Sequence, residues 1–132
     1  MATAGDVVRE FFAAIDQKDL AAVESLLDGK VVYHNIGSEP AVGREAALAA
    51  VKFQFDMFDP ISFRIRNLAE VGDTVLTERI DEITANGVMA PVPVMGTFEV
   101  TDGRIVQWRD YFDMALVGKL MGGEDVASLL PS

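Results

Sequence analysis

Residues 61–84 read ISFRIRNLAEVGDTVLTERIDEIT, and the architecture follows from them. Through Ile61–Val71 apolar and polar side chains alternate. Ile61, Phe63 and Ile65 fall on one side, Ser62, Arg64 and Arg66 on the other. That period of two is the period of a half-buried β-strand. Gly72-Asp73 is a turn signal, and Thr74–Thr84 reads as the returning strand. Downstream the pattern repeats: turn Asn86-Gly87, strand Val92–Thr101, turn Asp102-Gly103, strand Arg104–Asp113. Glycine-containing turns between consecutive strands predict an antiparallel meander. Ala90-Pro91-Val92-Pro93 puts two prolines in or beside a strand, which favours a sheet edge or a bulge there.

Upstream the period changes. Val7, Val8, Phe11, Phe12 and Ile15 recur at helical spacing between Asp6 and Lys18, with Asp6 as a candidate cap. Asp19 caps a shorter helix, Leu20–Leu27, that ends at Asp28-Gly29. Val31–Ile36 is a short β-type segment, broken by Gly37-Ser38-Glu39-Pro40. A third helix opens at Gly43-Arg44-Glu45 and stops near Phe58, before Asp59-Pro60. Beyond the meander, Leu116, Val117, Leu120 and Met121 recur at helical spacing in the tail, residues 114–132, before Gly122-Gly123. Helices first and sheet after them predict an α+β fold with the helices on one sheet face. At 132 residues the chain fits a single domain, residues 1–132.

Composition excludes several classes of chemistry. Without cysteine there is no disulfide, thiolate nucleophile or cysteine-ligated metal, and a single histidine excludes paired-histidine metal motifs. A net charge of −10 argues against nucleic acid and anionic membrane surfaces as partners. Met1–Asp6 lacks a basic, apolar leader, and the longest apolar runs fall far short of the ~20 residues of a membrane helix, so the expectation is a cytoplasmic protein. No G-x-S-x-G, G-x-x-x-x-G-K-[ST] or G-x-G-x-x-G occurs. What remains is acid–base work by carboxylates, helped by Arg, Tyr and Asn.

Sorting the strands into faces shows which carboxylates are candidates. Val75, Thr77, Arg79, Asp81 and Ile83 share one face. Val106, Trp108, Asp110 and Phe112 share another, with Ile105, Gln107, Arg109 and Tyr111 opposite. An inward Asp110 between Trp108 and Phe112 needs a partner or a raised pKa, and Arg79 is a candidate partner. Val31, Tyr33 and Asn35 form a third face, bearing a phenol and an amide that can hold a water or a substrate oxygen. The same residues also fit plainer roles: Arg79–Asp81 as a surface ion pair, Asp110 at an outward-turning bulge, Tyr33 and Asn35 at a turn. His34 lies opposite Tyr33 and reads as structural.

Thr77-Glu78-Arg79-Ile80-Asp81, followed by Gly103-Arg104-Ile105-Val106-Gln107-Trp108-Arg109-Asp110-Tyr111-Phe112-Asp113, resembles the limonene-1,2-epoxide hydrolase family. Val32-Tyr33-His34-Asn35-Ile36 and Gly43-Arg44-Glu45-Ala46 resemble its other signature. The resemblance implies a cone-shaped fold of the nuclear-transport-factor-two-like type, in which helices and a strongly curved, mixed, mostly antiparallel sheet enclose a deep apolar pocket. It implies a homodimer, no cofactor and no metal. It implies one-step opening of a small or medium apolar epoxide by water, to a vicinal diol. By position, Asp110 resembles the base that deprotonates the water, and Tyr33 and Asn35 the groups that hold it. Asp81 resembles the acid on the epoxide oxygen, and Arg79 the bridge between the aspartates. Phe12, Ile15, Phe58, Ile83, Val92, Val94 and Phe112 are the expected pocket walls, the tail a lid or dimer contact. Gln54 stands where the family places an apolar residue. The fold also hosts ketosteroid isomerases, polyketide cyclases and non-catalytic binding modules, so the alternatives are an enzyme of those kinds or a small-molecule carrier.

Overall fold

A computed structural model describes residues 2–132. Helix α1, Ala4–Asp16, is capped by Thr3 rather than Asp6. The Thr3 hydroxyl accepts from the Asp6 N–H at 3.1 Å and the Asp6 carboxylate accepts from the Thr3 N–H at 3.0 Å, a reciprocal capping box. Helix α2, Leu20–Leu26, is capped by Asp19 as expected. The chain enters strand β1, Leu27–Asn35, directly, so Asp28-Gly29 lies inside a strand and not at a helix end. A two-residue strand β2, Ala41–Val42, precedes helix α3, Arg44–Met57.

The meander forms as the alternation requires: β3 Ile61–Val71, β4 Thr74–Ala85, β5 Val88–Thr101 and β6 Arg104–Tyr111. Asn86-Gly87 and Asp102-Gly103 all have positive φ, the conformation that turns a two-residue hairpin in the sense of strand twist. The sheet order is β2-β1-β6-β5-β4-β3, with β1 parallel to β6 and every other pair antiparallel. The fold is therefore α+β, with a mixed, mostly antiparallel, unclosed sheet.

Two local features follow from pairing. Between Glu99 and Val100 the β5–β6 register shifts, so Glu99 faces Gln107 while Val100 faces Ile105. This bulge reverses the alternation: Ile105 is fully buried and Val106 only half so, opposite to the face assigned from period two. The second feature concerns Pro91 and Pro93. β5 pairs with β6 only from Met95 onward, so Val88–Val94 has a strand on its β4 side alone. Prolines have no N–H to give, and this local edge is where they are tolerated.

Helix α1 lies against the sheet and buries Phe11, Phe12 and Ile15 with Phe63, Phe98 and Trp108. Edge-to-face contacts join the rings, Phe11 to Trp108 at 4.9 Å and Phe12 to Phe98 at 5.4 Å between centroids. The tail folds back as helix α4, Met114–Met121, capped by Asp113, and a short 3₁₀ turn, Ala127–Leu129. Leu120 and Val126 close a second apolar cluster with Ala90, Val92 and Val94 of the overhanging part of β5. Among the described residues no helix is long and apolar enough to cross a membrane.

Candidate active site

Between α3, α4 and the inner sheet face lies a cavity of about 470 Å³. Phe58, Phe63, Ile83, Val92, Val94 and Phe112 give it apolar walls, and Tyr33, Asn35, Asp81 and Asp110 gather its polar groups. Register explains the gathering. Thr77, Gly96, Asp110 and Asn35 stand side by side across β4, β5, β6 and β1, and Tyr33 stands beside Trp108 one step along. The Tyr33 ring stacks on the Trp108 indole with centroids 3.6 Å apart and planes 12° from parallel.

Arg79 reaches across this row from β4. Its Nε and Nη2 donate to the two oxygens of Asp81 at 3.0 and 2.8 Å. Its Nη1 and Nη2 donate to those of Asp110 at 3.0 and 3.1 Å, and Nη1 also donates to Thr77 Oγ1 at 3.3 Å. All five guanidinium N–H groups are thereby used, at a side chain with no exposed surface. The rings of Phe12 and Phe63 lie 4.9 and 5.2 Å from the guanidinium carbon. The bridge needs the missing side chain of Gly96: a Cβ there would collide with Arg79 Nη1 and stand 2.6 Å from Asp110 Oδ1.

The electrostatics separate the groups. Burial opposes charge on Arg79, but the Asp110 and Asp81 carboxylates outweigh it and hold the guanidinium protonated. Burial raises the Asp81 carboxyl to about 6, against the charge and hydrogen bonds of Arg79 and with the help of Asp110. Burial and Asp110 together push the Tyr33 phenol well above its usual range, hydrogen bonds from Gln54 and Asn35 opposing. The site thus sets a carboxyl that holds its proton into mildly acidic solution beside a carboxylate–guanidinium pair. Such a division of labour suits paired proton donation and acceptance.

Tyr33, Asn35, Arg79, Asp81 and Asp110 converge, so the surface ion pair and the outward bulge are not what forms. Of the expected walls, Phe58, Ile83, Val92, Val94 and Phe112 line the cavity. Phe12 and Ile15 do not, which corrects their assignment. The apolar stripe of α1 packs into the core against the sheet, so Phe12 backs Arg79 from the core side. His34 turns away, its Nε2 2.8 Å from the Ser38 carbonyl oxygen. Thr77, Gly96 and Phe63 join the site beside the residues expected there. Thr77 shares the inward face of Arg79, and a glycine inside a strand signals close approach of another group, so both carried a readable cue. Gln54, half-buried on α3, donates to Tyr33 Oη at 2.9 Å.

Known proteins resemble this chain along nearly its whole length. The chain is 34% identical over 126 residues to the epoxide hydrolase EphG of Mycobacterium tuberculosis, covering 95% of this chain and 83% of that protein. A solved LEH-like epoxide hydrolase from M. tuberculosis superposes with a TM-score of 0.83 at 31% identity, covering 98% and 96% of the two chains. An NTF2-like protein of unknown function from Cytophaga hutchinsonii shares the fold at a TM-score of 0.72 and 20% identity, over 89% of this chain and 96% of the other. Residues 2–121 match the family model described as the limonene-1,2-epoxide hydrolase catalytic domain. The chain belongs to the limonene-1,2-epoxide hydrolase family.

Proposed function

We propose that this protein hydrolyses a small or medium apolar epoxide to a vicinal diol in one step. The observation that carries the reading is the single guanidinium of Arg79 hydrogen-bonded to both Asp81 and Asp110 at the polar end of an apolar cavity. Tyr33, Asn35 and Asp110 hold the water. As its oxygen attacks an epoxide carbon, Asp110 takes the water's proton and Asp81 gives its own to the oxygen leaving that carbon. Epoxide and water balance the diol, and the proton gained by Asp110 returns to Asp81 before the next turnover. Each half of this push and pull contributes ~10²- to 10⁴-fold. An apolar cavity strengthens both by excluding bulk water.

The chain's own groups suffice for these steps, so the reading includes no cofactor, and a cytoplasmic location. It also includes a homodimer, supported by Met95 and Tyr111, which neighbour each other across β5 and β6 on the outer sheet face and are about half exposed. The test is turnover of limonene oxide, cyclohexene oxide and styrene oxide in ¹⁸O-labelled water. Diol carrying one label supports hydrolysis. Unlabelled isomerised product, or ligand binding without turnover by the folded protein, overturns it.

A further inference from the structure

We propose that Gln54 is a positioning residue that fixes the direction in which Tyr33 donates its proton, a role that rests on the hydrolytic reading above. The stack on Trp108 fixes the plane of the Tyr33 ring, which leaves rotation of the O–H as the phenol's remaining freedom. A phenolic hydrogen prefers the ring plane and has two orientations there. The Gln54 amide, donating from Nε2 at 2.9 Å, occupies the acceptor position on its side of the oxygen. Asn35 acts on the phenol less strongly than Gln54 does, so the Gln54 bond dominates and the hydroxyl hydrogen is driven to the side away from it.

That constraint matters to the count of bonds at the water. A water that donates one hydrogen to Asp110 and the other to the Asn35 amide oxygen has two lone pairs left. If Tyr33 donates to one, a single lone pair remains, and it is the one aimed at the epoxide carbon. If Tyr33 were free to accept instead, it would compete with Asp110 for a water hydrogen. Gln54 stands on α3, a different element from the strands that carry Tyr33, Asp81 and Asp110, in the wall of the cavity.

The experiment compares the full-length protein with Gln54→Met, a substitution of similar length that keeps the packing and removes the donor. With only two tyrosines in the chain, ¹³Cζ-tyrosine labelling resolves Tyr33 from Tyr111. Gln54→Met is expected to shift the Tyr33 signal, leave Tyr111 unmoved and leave the thermal midpoint unchanged. On an epoxide, kcat is expected to fall about tenfold, the worth of one hydrogen bond, with KM unchanged or lower. In a Tyr33→Phe background the same substitution is expected to cost nothing further. An unmoved Tyr33 signal, or equal losses of kcat in both backgrounds, overturns the proposal. A Tyr33 signal shifted by Gln54→Met, together with a wild-type protein that opens no epoxide, overturns the hydrolytic reading and the water-positioning role with it, while the Gln54–Tyr33 bond stands.

Discussion

Gly96→Ala tests the central bridge with a single methyl group. Gly96 is not among the glycines with positive φ, so alanine meets no left-handed backbone there and the effect is spatial. Its Cβ collides with Arg79 Nη1, lies 2.6 Å from Asp110 Oδ1 and 3.2 Å from Thr77 Oγ1. To reach ordinary contact distance the guanidinium must retreat by roughly 1 Å or more. Arg79 has no slack: it is fully buried, and each of its N–H groups is committed. Retreat from the methyl breaks the Nη1 bonds to Asp110 and Thr77. Breaking a buried ion pair costs ~3–5 kcal/mol, and a partial break should cost about 3. The displaced base should lower kcat/KM at least ~100-fold. Urea denaturation and epoxide turnover measure the two effects. Gly29→Ala is the control, since a Cβ at that position meets nothing within 4 Å, and its stability should change by less than about 0.5 kcal/mol. If Gly96→Ala unfolds at the wild-type urea concentration and turns over within twofold of wild type, the close packing of the bridge is not what holds the site.

Asp110→Asn should retain its circular dichroism spectrum and lose ~100-fold or more in kcat/KM, because the amide cannot take the water's proton; retained turnover refutes the base assignment. With the Asp81 carboxyl raised to about 6, kcat/KM should fall as pH climbs above that value and the donor loses its proton. Stability carries the same sign: the folded state binds this proton more tightly than the unfolded chain, so the contribution is fully present below the unfolded value of 3.8 and lost as pH rises through about 6. Denaturation midpoints of wild type and Asp81→Asn from pH 4 to 8 check it, since the variant should lack that component. Phe12→Ala should destabilise by ~3–5 kcal/mol, as a core residue does. Val92→Ala, on the cavity wall, should instead change the ranking of epoxides by size, which competition between small and large epoxides would show.

The alternation through Thr74–Thr84 was enough to place Arg79 and Asp81 on one face, and that through Arg104–Asp113 to put Trp108 with Asp110, because a strand's side-chain period is local geometry. The turns at Asn86-Gly87 and Asp102-Gly103 were legible for the same reason: each depends on the conformational preference of two residues. The reversal at Ile105 was not legible, since the bulge belongs to the pairing of Glu99–Val100 with the strand opposite. Phe12 and Ile15 have the composition of a pocket wall and became core instead, because the packing of α1 on the sheet determines which apolar surface meets ligand. Gln54 looked misplaced in an apolar wall until the fold brought Tyr33 within 2.9 Å of it. The sequence by itself determined the strands of the meander, the faces within each unbroken run and the few polar groups able to do the chemistry. Only the tertiary structure decided that Arg79 passes over a bare Gly96 to reach a carboxylate 31 residues away, because a residue's partners across a sheet depend on long-range register and on the side chains its neighbours lack.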